Sequence, residues 1–172
     1  MDRQDQSAEP TVEQIRANIA FEQMVVAVLT GAFFGGAMLL ALNVFRMVFG
    51  GLTFELMLSV LLETIFAAIL IFVVGFFSSV AIGAPLFSAL EKRKRRNLWP
   101  YLLASLAVAI VVFAFNAGGL PTVGDFEVET LLVIFAPAII IALTFARLMR
   151  PHWRAAEKAE AEADGPVYFK LH

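Results

Sequence analysis

A chain of 172 residues with 60% apolar residues, 17 phenylalanines and a formal net charge of −2 cannot cover itself with polar surface, since soluble domains hold roughly 45–50% apolar residues. The mean hydropathy of +0.80 says the same. The absence of cysteine excludes disulfides, thiolate catalysis, Cys-ligated zinc and ordinary iron–sulfur clusters as properties of this chain, and the apolar runs leave no room for a soluble catalytic domain.

Residues 1–22 are polar and mostly acidic, unlike the short basic start of a secretory signal, so the first span is expected to be a permanent anchor. Thr11 with Gln14 fits a capping box, and Val12, Ile15 and Ile19 recur at helical spacing. This predicts a short amphipathic helix that lies in the interface or extends the first span.

The charge-free runs set the spans, because a helix rising 1.5 Å per residue needs about 20 residues to cross a core of about 30 Å. The first is 23–45, bounded by Glu22 and Arg46. The second run, Thr64 to Leu90, measures about 40 Å as one helix, and it contains Gly83 and Pro85, so the span is placed at about 60–83. The third is 98–115, closed by a turn at Asn116, Gly118, Gly119 and Pro121. The fourth, 130–148, is short and is completed by Arg147 extending its guanidinium to the head groups. In the tail, 148–172, residues Arg154 to Ala163 form an Ala/Glu-rich helix candidate stopped by Gly165-Pro166 and expected to be solvated. The fold class that follows is an all-α integral membrane protein, a four-transmembrane-helix bundle over 23–147 with helical tails.

Lys and Arg near helix ends are retained in the cytoplasm. Lys92, Arg93, Lys94, Arg95 and Arg96 lie between the second and third spans, and every other basic residue except Arg46 falls on the same face. The opposite loops hold Glu55, Glu63, Asp125, Glu127 and Glu129. Trp99, Tyr101 and Trp153 sit at the basic interface, where amphipathic rings prefer to be. Both termini are therefore expected in the cytoplasm, with the chain multi-pass in a plasma membrane of the bacterial inner type.

Helices in lipid associate through small residues that permit close approach. Ala27, Gly31 and Gly35 make such a stripe in the first span, Gly75, Ser79 and Gly83 in the second, and Ala138, Ala142 and Ala146 in the fourth. In an antiparallel hairpin the first two stripes fall at matching depth, Gly31 with Gly75 and Ala27 with Ser79. This predicts direct packing of the first two spans, with a homodimer seam as the rival use. A faint repeat sets Gly50-Gly51-Leu52 ahead of Glu63-Thr64 as Gly118-Gly119-Leu120 precedes Glu129-Thr130, which would relate two hairpins about the membrane normal.

Chemistry is sparse. His152 and His172 lie outside every span, and no phosphate loop, Ser/His/Asp set or metal-ligand spacing occurs in the sequence. No cofactor, no metal, no nucleic acid and no enzymatic activity are expected. Two polar groupings remain. Lys92 to Arg96 serves as an orientation signal and as a contact for anionic lipids of the bilayer. Arg46, Asn43, Glu55 and Glu63 surround the outer loop, where an ion pair at the interface is the first expectation and a proton or cation site the second. The function expected is a small accessory or scaffolding subunit that packs against other membrane proteins. The alternative is an oligomeric transporter or channel using Glu63, since the chain resembles small four-helix multidrug exporters in helix number and in placing one Glu in a span. That resemblance is architectural: those proteins are shorter and carry the carboxylate in the first helix.

Overall fold

The computed structural model describes residues 12–50, 53–116 and 128–163, nearly all of them helical. Thr11 of the capping pair, most of the Gly-Gly-Leu repeat, Asp125 and Glu127 lie outside those residues. Helix α1 runs Val12–Gly50 without a break, so the amphipathic start extends the apolar span directly. Helix α2, Phe54–Ser78, begins where extended Thr53 turns its hydroxyl back to accept from the Leu56 N–H at 3.3 Å, with Glu55 in the first turn against the positive end of the dipole.

Gly83 and Pro85 do not stop this helix. Residues Ser79–Gly83 form a π turn in which the Ala84 N–H bonds back to the Ser79 carbonyl, and helix α3 continues over Ala84–Lys92. Proline lacks an N–H and its ring crowds the carbonyl four residues earlier, here Ala81, and the wider turn accommodates that break without unwinding the chain. Helix α4 covers Trp99–Asn116, and α5 covers Val128–Ala163 with Pro137 and Pro151 inside it. The Ala/Glu-rich tail segment is thus the end of α5. Four helical stretches are long and apolar enough to cross a membrane.

The bundle is built around α1, which packs on both α2 and α5, while α4 packs on α5 and approaches the second hairpin arm chiefly at the π turn. All three main contacts join helices of opposite direction. The glycines explain how one helix serves two neighbours. A Cβ on Gly31 would run into Ile141 Cγ1 and stand 3.2 Å from the Pro137 carbonyl oxygen of α5, and one on Gly35 would stand 2.8 Å from both Ile71 of α2 and Pro137. Gly36 faces Ala68, Gly75 faces Val28 at 3.0 Å, and Gly83 faces Met24 at 3.0 Å. Glycines of α1 and of α2 with its π turn therefore meet larger side chains of the opposite helix at similar depth, and Gly31 itself turns toward α5.

At the basic end the helices close on an apolar cluster of Ala20, Met24, Phe87, Leu90, Met149 and neighbours. Tyr101 stacks on Trp153 at 5.9 Å and lies 5.0 Å from Phe145, tying α4 to α5, whereas Trp99 points outward, 67% exposed. Ala142 and Ala146 are buried on α5, and the Ala138 carbonyl accepts a bond from the Ser105 hydroxyl of α4.

Because the Gly31 site is bounded by backbone, Gly31→Ala should destabilise the fold by about 1–3 kcal/mol, and Ile141→Val should recover part of that loss in the double variant. Unfolding in mixed micelles measures both. An unperturbed Gly31→Ala would mean that α1 does not approach α5 at this point.

Candidate functional sites

Two places bring polar groups together against apolar surroundings. The first begins at the end of α3, where the Arg95 N–H bonds to the Leu90 carbonyl at 2.9 Å and the Lys94 N–H to the Glu91 carbonyl at 3.0 Å. This is the paired bonding that ends a helix through one left-handed residue. That residue is Lys94, at φ 53, where glycine would be easier. The reversal carries Arg96 back over the helix it has just left.

The Arg96 guanidinium, only 3% exposed, donates through Nη2 to Glu91 Oε1 at 2.9 Å and to Glu160 Oε1 of α5 at 2.6 Å, and through Nε to Glu91 Oε2 at 3.3 Å. Glu91 also accepts from Arg16 of α1 at 3.1 Å, and Lys94 reaches Glu160 at 3.5 Å. One planar fork thus joins two carboxylates, and through them the ends of α1, α3 and α5. An ammonium has no such fork and would lose the second bond to Glu91 that Nε makes. Hydrogen bonding to Glu160 and then to Glu91 raises the Arg96 pKa above its ordinary value, and the bond from Arg96 holds the Glu160 carboxyl below the usual carboxylate range.

The structure therefore divides the basic run. Lys92, Arg93 and Arg95 are exposed, whereas the Arg96 side chain is taken up inside the protein. Counting charge by sign alone missed this, because orientation rules give acidic residues little weight and Glu91 and Glu160 are the residues that matter. His152 is exposed and lines a shallow hollow with Arg16 and Glu91.

The second place is a cleft of about 470 Å³ between α2, α4 and α5, made because α2 and α4 stand on opposite flanks of the bundle. Its walls are small and apolar, including Ala67, Gly75, Val108, Val112, Ile134 and Ala138, while Arg46, Asn116 and Thr130 stand at its acidic end. A narrower hollow of about 100 Å³ continues it toward the basic end, past Ser79, Ser105 and Tyr101.

The four residues grouped around the outer loop are distributed over different surfaces. Arg46 lines the cleft and Glu55 is exposed at the start of α2. Asn43 is buried, and it is Thr64, not Glu63, that is buried on α2; Asn43 Nδ2 and Thr64 Oγ1 have no hydrogen-bond partner among the described residues. Glu63 is exposed, with no ion pair to Arg46 among the described residues. On α2 it is thus Thr64, one residue on from Glu63, that turns inward. Among the described residues no group of three or more His, Cys, Asp or Glu is placed to hold a metal ion. No protein-family model matches the chain, and neither a curated protein nor a solved structure matches it.

Removing the fork should free the end of α5: Arg96→Gln is expected to destabilise by about 1–3 kcal/mol, with Arg96→Lys recovering only part of it. Glu160 titrates lower when docked, so its contribution is present above the ordinary carboxylate range and is lost as pH falls through its lowered value. Limited proteolysis of the α5 end reads this directly. Protection that persists in Arg96→Gln at neutral pH would contradict it.

Proposed function

We propose that this chain is a small accessory or scaffolding subunit of a membrane complex. In this reading the four apolar helices cross a plasma membrane of the bacterial inner type, with both termini and the basic end in the cytoplasm. The role is binding rather than catalysis.

The observation that carries the reading is the Arg96 clamp. Exposed ion pairs add little to stability, with a median of about 0–1 kcal/mol, yet this buried fork braces three helix ends that run past the aromatic level of Tyr101 and Trp153. From Trp153 to Glu160, α5 projects about 10 Å further. A braced stub of three helices, with Lys92, Arg93 and Arg95 on its exposed turn, is a surface suited to a partner's acidic face or to anionic lipid head groups. The glycine stripes are occupied within the chain, so the partner surface falls on this stub and on the outer face of α2, whose most apolar stretch has no buried residue.

Co-purification from native membranes in mild detergent tests this. Stable foreign partners are expected, and they should be lost in Arg96→Gln while the variant still inserts. Reporter fusions after Glu91 and at the C-terminus should read cytoplasmic, and one after Gly124 external. A symmetric homo-oligomer without partners favours the second reading, an oligomeric transporter using Glu63. Its specific support is that Glu63 falls on the stripe of α2 that also carries Ala67, Leu70 and Val74 of the cleft wall. Loss of proton-dependent efflux in Glu63→Gln or Arg46→Gln with unchanged yield would establish transport and displace the scaffolding role.

A further inference from the structure

Helix α5 carries one strip that the other helices leave uncovered. Leu132, Ile139, Leu143, Arg147, Arg150 and Arg154 follow one another at steps of three, four and seven residues, which places them on one face, and all six are exposed. The strip changes character once: it is apolar through Leu143 and cationic from Arg147 on. The charge-free stretch 130–146 measures about 26 Å as a helix, less than a hydrocarbon core of about 30 Å. Arg147 therefore stands at the edge of the hydrocarbon, about 9 Å inward of the level of Trp153 along the axis. Long side chains on a helix lean toward its N-terminus, which for α5 is toward the bilayer.

The three arginines are uncompensated. Arg96 and Arg16 meet Glu91 and Glu160, but Arg147, Arg150 and Arg154 make no ion pair among the described residues. Glu157, three residues after Arg154, is exposed and pairs with neither Arg150 nor Arg154. Like charges three and four residues apart on a helix repel one another, so the strip favours an anion that can lie among its guanidinium forks, and a phosphate matches that geometry. A soluble acidic protein cannot follow the strip down to Arg147 at the hydrocarbon edge, whereas a lipid phosphate resides at that level. A zwitterionic head group would bring an ammonium against the remaining guanidinium. A net-negative head group does not, and its acyl chain continues onto Leu143 and Ile139.

We propose that the outward strip of α5 is a binding site for one anionic phospholipid, its phosphate between Arg147 and Arg150, Arg154 above it, and an acyl chain along Leu143 and Ile139. The site rests on α5 crossing a membrane and not on the scaffolding role.

Resistance to alkaline extraction from membranes first establishes that the chain and each variant are inserted. The full chain in mild detergent is then offered equal phosphatidylglycerol and phosphatidylcholine, and native mass spectrometry counts the lipid retained. One phosphatidylglycerol per chain should be kept, about tenfold or more over phosphatidylcholine. Arg147→Gln with Arg150→Gln should remove that preference, and Arg150→Gln with Arg154→Gln, both beyond the charge-free stretch, should weaken it severalfold. Arg3→Gln with Lys170→Gln changes the net charge equally and should leave retention as it was. An excess of inorganic phosphate should not displace the lipid. Absence of a preference in the native chain, equal losses in the tail and strip variants, or displacement by inorganic phosphate would each overturn the proposal. So would a second copy or an acidic protein that is held in place of lipid and released by Arg147→Gln with Arg150→Gln.

Discussion

Helices immersed in an apolar medium gain nothing from hiding apolar surface against one another, so their arrangement depends on how closely backbones approach. In this chain that constraint falls on α1. Gly31 and Gly35 let the edge of α5 at Pro137 and Ile141 come against the α1 backbone, and Gly36 admits Ala68 of α2. With α1 holding a neighbour on each side, α2 is kept away from α4, which follows α5 instead. The cleft is the geometric result of that order.

The basic end meets a different requirement. Several helices continue past the aromatic cluster, where apolar packing thins and cations accumulate. The left-handed turn at Lys94 and the fork of Arg96 convert part of that charge into a bond between helix ends. The remaining exposed cations are left to face whatever lies at the surface. The two ends thus differ in kind: one is braced by ion pairs within the protein, and the other opens on a cleft with Arg46 at its mouth.

The four apolar stretches were legible from the sequence, because charge-free runs of that length have few other uses. Helix continuity was less so. Gly83 and Pro85 read as a break, yet a π turn absorbs Pro85, and α5 carries on through Pro151 into its tail, so α2 with α3, and α5 with its tail, are longer than the spans they contain. The glycine spacing predicted close approach and placed α1 beside α2, but spacing alone does not say which neighbour each glycine faces, and Gly31 turned to α5. The Arg96 clamp was hidden because its partners are distant in sequence, Glu160 lying in a segment that reads as solvated tail. The cleft was invisible to any local pattern, since it is the space left where α2 and α4 both flank α5 without packing closely on each other.

The most direct test of this arrangement is intramolecular disulfide formation in native membranes, for which the chain offers a clean background with no cysteine of its own. Two cysteines join only when their Cα atoms lie within about 7 Å. A pair at Met24 and Gly83, which face one another across α1 and the π turn, should close rapidly within one chain. A pair at Leu70 and Val112, on opposite walls of the cleft, should stay reduced. Rapid closure of Leu70 with Val112 in a single chain would show that α2 and α4 are neighbours and would contradict the account.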